Sequence, residues 1–253
     1  MTPPRVRSRR RRPRKAAAVL RPAGPLLALA LLLAACGPAS STAFSASELG
    51  TGEDGWRGIP IELDRTLPEV TLTDTDGAEV DLATDPLGTP TLLFFGYANC
   101  PDICPIHLGT IASAMSSIGV SPNDVQVVFV SVDPERDSPA DIERFVGAFD
   151  SRFLGLHGDI AVVEDALAQL DLPGPVVEGP DPRGDGDLIG HPAQVIGFDA
   201  DGVAQRVWPF GARRADWIDD LPLILDEWTA PDADLASEDV ATTDGPDQPE
   251  DGA

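Results

Sequence analysis

Residues 91–108 read Thr91-Leu92-Leu93-Phe94-Phe95-Gly96-Tyr97-Ala98-Asn99-Cys100-Pro101-Asp102-Ile103-Cys104-Pro105-Ile106-His107-Leu108. The unbroken apolar run 91–95 is what a strand buried on both faces requires. Beyond the cysteines, Leu108, Ile111, Ala112, Met115 and Ile118 recur at helical spacing. The two cysteines therefore stand at a strand-to-helix turn, beside free backbone N–H groups and the positive end of a helix dipole, which stabilise thiolate over thiol. Pro101 and Pro105 stiffen the turn, and Pro105 suits the first turn of a helix. Three intervening residues let both sulfurs face one way, about 6 Å apart before relaxation. With no second cysteine pair, a four-ligand structural zinc site is disfavoured. Two soft sulfurs suit Cu(I), which accepts two or three soft ligands.

Working outward, Val70–Thr73 and Glu79–Leu82 flank Asp76-Gly77 as a tight hairpin. Residues 125–132, Val-Gln-Val-Val-Phe-Val-Ser-Val, form a second buried strand. Ser138 as N-cap, Pro139 at the first helical position and Asp141 near the positive end open a helix carrying Ile142, Phe145, Val146 and Phe149. Residues 160–170 read as a short helix. Residues 193–198, the turn 199–202 and residues 203–208 make an antiparallel pair. Trp217, Ile218, Leu221, Leu225 and Trp228 stripe a closing helix. The order hairpin, β, α, β, α, α, hairpin, α implies an α/β protein: a mixed sheet flanked by helices, thioredoxin-like, with an N-terminal β-hairpin. A flavodoxin-like sheet would want another parallel β-α unit where 193–208 supplies an antiparallel pair.

The ends of the chain read differently. Nine of the 18 basic residues precede Cys36, and no acidic residue does. The arginine run, the apolar stretch 25–35 and Leu33-Ala34-Ala35-Cys36 make residues 1–36 a signal peptide with a bacterial lipobox, Cys36 being the lipidated residue. The apolar stretch is too short to span a bilayer comfortably, so lipid would hold the chain at the outer face of the cell membrane. Residues 37–60, rich in Ser, Ala, Gly and Thr, read as a flexible tether to a domain over 61–229. Residues 230–253 carry eight acidic residues and no basic one, an acidic disordered tail. Without residues 1–35 the chain has 18 − 9 = 9 basic against 42 acidic residues, a net charge of −33. That sign argues against a nucleic-acid partner and against a surface for anionic lipid headgroups. With Cys36 given to lipid, Cys100 and Cys104 are the remaining cysteines, and a pair four apart closes too small a loop to staple a fold of this size.

Three ordered blocks carry a family resemblance. Gly96-Tyr97, then Cys100-Pro101-Asp102 and Cys104-Pro105, resembles the Sco/SenC motif. Ser131-Val132-Asp133-Pro134-Glu135-Arg136-Asp137-Ser138-Pro139 is similar to that family's second block, and Phe153-Leu154-Gly155-Leu156-His157-Gly158 to its third. With His191 ahead of a strand, the likeness covers roughly residues 60–229. It implies copper, as Cu(I) or Cu(II), held by Cys100, Cys104 and His191. It also implies work on the copper-A centre of cytochrome c oxidase, with the subunit bearing that centre or another copper carrier as partner. His191 fills the place of the family's third ligand, and neutral imidazole beside two thiolates suits both oxidation states.

Two functions share these sulfurs: a metallochaperone without turnover, and a thiol–disulfide reductase acting on the oxidase copper-site cysteines. Only the first needs His191. The family usually has Ser or Thr after the histidine; Pro192 stands there instead, in the loop where thioredoxin-like reductases keep a cis-proline, which tilts towards thiol exchange. His107, one turn beyond Cys104, is read as a solvent-side helix residue, with a substitute ligand as the alternative. His157 is read as structural. Asp133, Glu135, Arg136 and Asp137 are read as orienting a loop by hydrogen bonds, with Asp133 near copper as the alternative. Asp102 is read as a cap.

Overall fold

The computed structural model describes residues 52, 54–62, 65–184 and 186–229. Cys36, the signal peptide, most of the tether and the acidic tail lie outside these residues.

The sheet grows from β4 (Thr91–Gly96), every residue of which is buried. A strand buried on both faces needs neighbours on both edges. β5 (Gln126–Ser131) pairs with it in parallel, and β9 (Val195–Phe198) pairs with it antiparallel. The parallel pairing requires a crossover, which α1 (Ile103–Ile118) provides. β6 (Leu154–His157) extends the parallel side, and β2 (Thr71–Asp74) with β3 (Glu79–Asp81) closes that edge as the expected hairpin. β10 (Ala204–Trp208) and the short β1 (Ile59–Pro60) complete the other edge, so the strand order is β1-β10-β9-β4-β5-β6-β2-β3. This mixed order, with β9 and β10 antiparallel where a flavodoxin-like sheet would continue in parallel, is the thioredoxin-like arrangement.

The helices follow local chemistry. At α1, Asp102 accepts a hydrogen bond from Ile103 N at 2.6 Å, and Gly119 ends the helix with φ +78°. α2 (Pro139–Gly147) opens on a capping box between Ser138 and Asp141 with Pro139 first. α3 (Ile160–Gln169) buries Val163, Ala166 and Leu167. α4 (Arg214–Glu227) packs beside α1.

Three features depart from the sequence reading. β6 falls in Phe153–Gly158, a block too short to show periodicity. A separate hairpin, β7 (Val176–Pro180) with β8 (Asp187–Gly190), occupies residues rich in Gly, Asp and Pro that carry no strand pattern. The tether also ends earlier than residue 60. Trp56 is buried and stacks on Trp228 with ring centroids 5.1 Å apart, and β1 adds to the sheet edge. Asp220, fully buried in α4, accepts hydrogen bonds from Arg57 N and Gly58 N at 2.8 Å and from Trp208 Nε1 at 2.7 Å. Apolar burial of Trp56 and three bonds to one carboxylate outweigh the freedom that a Gly-rich segment would otherwise keep.

The register fixes where chemistry can gather. β4 and β9 run antiparallel with Leu93 opposite Ile196, so residues entering β9 lie at the same end as residues leaving β4. Gly96 is opposite Ser131, which brings the loop after β5 to that end too.

Candidate metal centre

At that end, Cys100, Cys104 and His191 come together, with both sulfurs and a ring nitrogen of His191 all within 4.8 Å of one another. Cys104 is the second residue of α1 and fully buried; Cys100, before the helix, is slightly exposed, and His191 is half-buried. Both cysteines are free. Cys104 N donates to Cys100 Sγ at 3.4 Å, and His191 Nε2 lies 3.5 Å from Cys104 Sγ. His191 Nδ1 is 2.9 Å from Pro192 O. A carbonyl only accepts, so Nδ1 donates to it, and Nε2 is the ring nitrogen turned towards the sulfurs.

Room for this cluster comes from Gly96. A Cβ there would stand 2.6 Å from Cys104 Sγ and 2.9 Å from the Phe129 ring. The glycine of the Gly96-Tyr97 pair is thus a space requirement for the Cys104 sulfur.

The two thiols are electrostatically unequal. The Cys100 pKa is lowered to about 4, chiefly because the Cys104 thiol hydrogen-bonds to it, with His191 and the backbone N–H groups of Cys104 and Asp102 adding to this against burial. Burial first, and then Cys100, pushes the Cys104 thiol well above the ordinary range. The pair therefore holds one thiolate and one thiol, the thiolate on the more accessible sulfur. Two sulfurs and an imidazole nitrogen converging at this range fit a soft or borderline ion of two or three ligands.

The surrounding residues hold the cysteine loop in place. Asp137 Oδ2 accepts from Ala98 N at 2.8 Å and from Ser131 Oγ at 2.7 Å, and burial raises its pKa. Asp133 instead pairs with Arg136 at 2.5 Å and is outside the three-residue cluster. The second block thus orients the cysteine loop through Asp137. The β7–β8 hairpin joins it: Arg183 Nη2 donates to Asn99 O at 2.7 Å, and Ile189 N donates to Tyr97 Oη at 3.4 Å.

Asp102 caps α1 as expected. His157 lies in β6 opposite Thr73, outside the cluster. His107 departs from its expected solvent-side place. It is 2% exposed, and its Nε2 is 2.8 Å from Ala193 O. A period that marks one buried stripe does not show that the neighbouring position is also covered by the loop after β10. Among the described residues no peptide bond is cis; Pro192 is trans, and the cis-proline resemblance to reductases is not met. Arg183 and Ala193 carried no sequence signal, because Arg183 acts on the distant Asn99 carbonyl and Ala193 through its own.

A mixed sheet with two cysteines at the β4–α1 turn and a histidine entering β9 defines a thioredoxin-like protein with a Cys–Cys–His centre. The SCO1/SenC family model matches residues 61–225, well over half of the chain, and the chain belongs to that family. Protein SenC of Rhodobacter capsulatus is 32% identical over 131 residues, covering 51% of this chain and 55% of that protein. The chain spans about half the length, or less, of the curated relatives it matches first. Among solved structures, Bradyrhizobium japonicum ScoI with copper bound is similar at TM-score 0.53 and 29% identity, covering 66% of this chain and 98% of that one. BsSco, a member of the Sco family of cytochrome c oxidase assembly proteins in which a disulfide switch was identified, shares the fold at TM-score 0.51 and 22% identity, covering 64% of this chain and 95% of that one.

Proposed function

We propose that this chain binds copper through Cys100, Cys104 and His191 and passes it to the copper-A subunit of cytochrome c oxidase or to another copper carrier. The observation that supports this most is the approach of His191 Nε2 to Cys104 Sγ at 3.5 Å with its other nitrogen held by Pro192 O. This turns a third donor atom towards the two sulfurs, which a three-ligand soft site needs. Cys100 and His191, the more accessible donors, are where a partner's ligands would exchange with this chain's. Copper bound to the related Bradyrhizobium japonicum protein adds support. Lipid on Cys36 would hold the chain at the outer face of the membrane. Among the described residues no helix is long and apolar enough to cross a membrane.

A second reading, thiol–disulfide reductase for the oxidase copper site, is favoured by the unequal pair. Cys100 as thiolate would attack a partner disulfide and Cys104 would then resolve the mixed disulfide. Metal analysis of protein purified under reducing conditions, followed by incubation with an apo copper-A domain, separates the two. Bound copper that moves to that domain supports delivery. Protein that takes up no copper yet reduces the domain's disulfide supports the reductase.

A further inference from the structure

His191 sits in a four-residue segment, 191–194, that lies between β8 and β9 outside any strand. Pro192 has no N–H to offer this loop. Its backbone is reached from α1 by the His107 ring. Because Ala193 O can only accept, His107 Nε2 carries the proton and donates across 2.8 Å. The ring is held in a slot of aromatic side chains. Phe94 of β4 lies at 5.1 Å and Phe210, in the loop after β10, at 5.6 Å, both centroid to centroid. The opposite neighbour of Phe94 is His191 itself, edge-on at 6.0 Å. Two histidine rings therefore share one phenylalanine, and one of them grips the loop that carries the other.

We propose that His107 is a positioning residue for the third ligand: its Nε2–H, donated to Ala193 O, sets the 191–194 loop so that His191 Nε2 faces Cys104 Sγ. His107 is not a ligand, since its Nε2 is committed to the carbonyl and it lies outside the three-residue cluster. Burial lowers the ring's pKa to about 4, and an Nε2–H can be donated in either protonation state. Outer partners that fix a ligating histidine are worth about 10- to 100-fold in metal affinity.

The inference rests on copper binding at His191, and its test has an arm that needs no metal. In the metal-free full chain, long-range 1H–15N spectra should show His107 as the Nε2–H tautomer with slow proton exchange; the Nδ1–H tautomer would overturn the proposal. Cu(I) affinity is then measured by chelator competition on the full chain for His107→Leu and His107→Gln. His107→Leu should lose about 10- to 100-fold while Cys100 alkylation at neutral pH stays within about two-fold, since Cys104 and the helix-end N–H groups still hold the thiolate when His191 shifts. His107→Gln, whose amide can still donate to Ala193 O, should recover most of the loss. Wild-type affinity in His107→Leu, or equal weakness in both variants, would overturn it. So would a histidine nitrogen signal in the Cu(II) EPR spectrum of His191→Ala that disappears in His191→Ala/His107→Gln. A wild-type chain that binds no copper would defeat the proposed function and leave the tautomer measurement standing.

Discussion

Cys104 Sγ and His191 Nε2 stand 3.5 Å apart although 87 residues separate them in sequence. The antiparallel pairing of β4 with β9 closes that gap, because it returns the chain to the end of the sheet where β4 gives way to α1. Both side chains are held by their neighbours. Cys104 is fixed by the first turn of α1, and His191 by its bond to Pro192 O and its edge contacts with Phe94 and Tyr97. Donors held this way need little rearrangement to take up an ion, which is where preorganisation adds affinity.

Replacing Gly96 by alanine should disturb the site before it disturbs the sheet. The new methyl would press on Cys104 Sγ and Phe129, and overpacking of this kind costs about 1–3 kcal/mol. Chemical denaturation should show that loss, and copper affinity should fall about 10-fold or more. Unchanged affinity with unchanged stability would mean that the sulfur has room to spare.

Cys100 should react as a thiolate far into the acid range. Its pKa is lowered to about 4, so its alkylation rate should hold as pH falls from neutrality and drop only through about pH 4. An unperturbed thiol would decline below about 8.5. Cys104, raised by burial, should stay slow throughout. Mass-spectrometric mapping of alkylation against pH distinguishes the two, and a Cys100 midpoint near 8 would contradict the charge arrangement described.

Much of this was legible in the sequence. The apolar run of β4, the Ser138 capping signals and the Asp76-Gly77 turn each state their structure locally, and the cysteine spacing states its chemistry. The β7–β8 hairpin was not legible, because neither strand has a buried residue to alternate with exposed ones; Val176 and Val177 are each 63% exposed. His191 required the family resemblance, since one histidine in a loop carries no periodicity. The burial of His107 was not legible either, because its side of α1 is covered by Phe210 and the Ala193 loop, both distant in sequence.

Asp220→Ala should loosen the start of the domain. It would leave Arg57 N, Gly58 N and Trp208 Nε1 without their acceptor, a loss of at least ~2 kcal/mol for buried donors. Trypsin should then cut after Arg57 faster than in the wild type. Equal cleavage rates would show that Trp56 stacking alone holds the segment.

Lipidation of Cys36 is tested by fractionation. Cys36→Ser should leave the membrane fraction for the soluble one, since one lipid-bearing cysteine is the anchor expected from the Leu33–Cys36 pattern. Equal membrane retention in both forms would point to an uncleaved apolar segment instead.

Copper binding by three named residues is tested most directly by Cu(I) competition titration under reducing conditions on wild type, Cys100→Ser, Cys104→Ser and His191→Ala. The wild type should bind about one equivalent, and either serine variant should lose tight binding, because one thiolate and one imidazole make a poor soft site. His191→Ala should bind more weakly while its Cys100–Cys104 reduction potential stays close to that of the wild type. Wild-type affinity in all three variants would contradict the site outright, and wild-type affinity in His191→Ala with full oxidase activity would turn the function to the reductase.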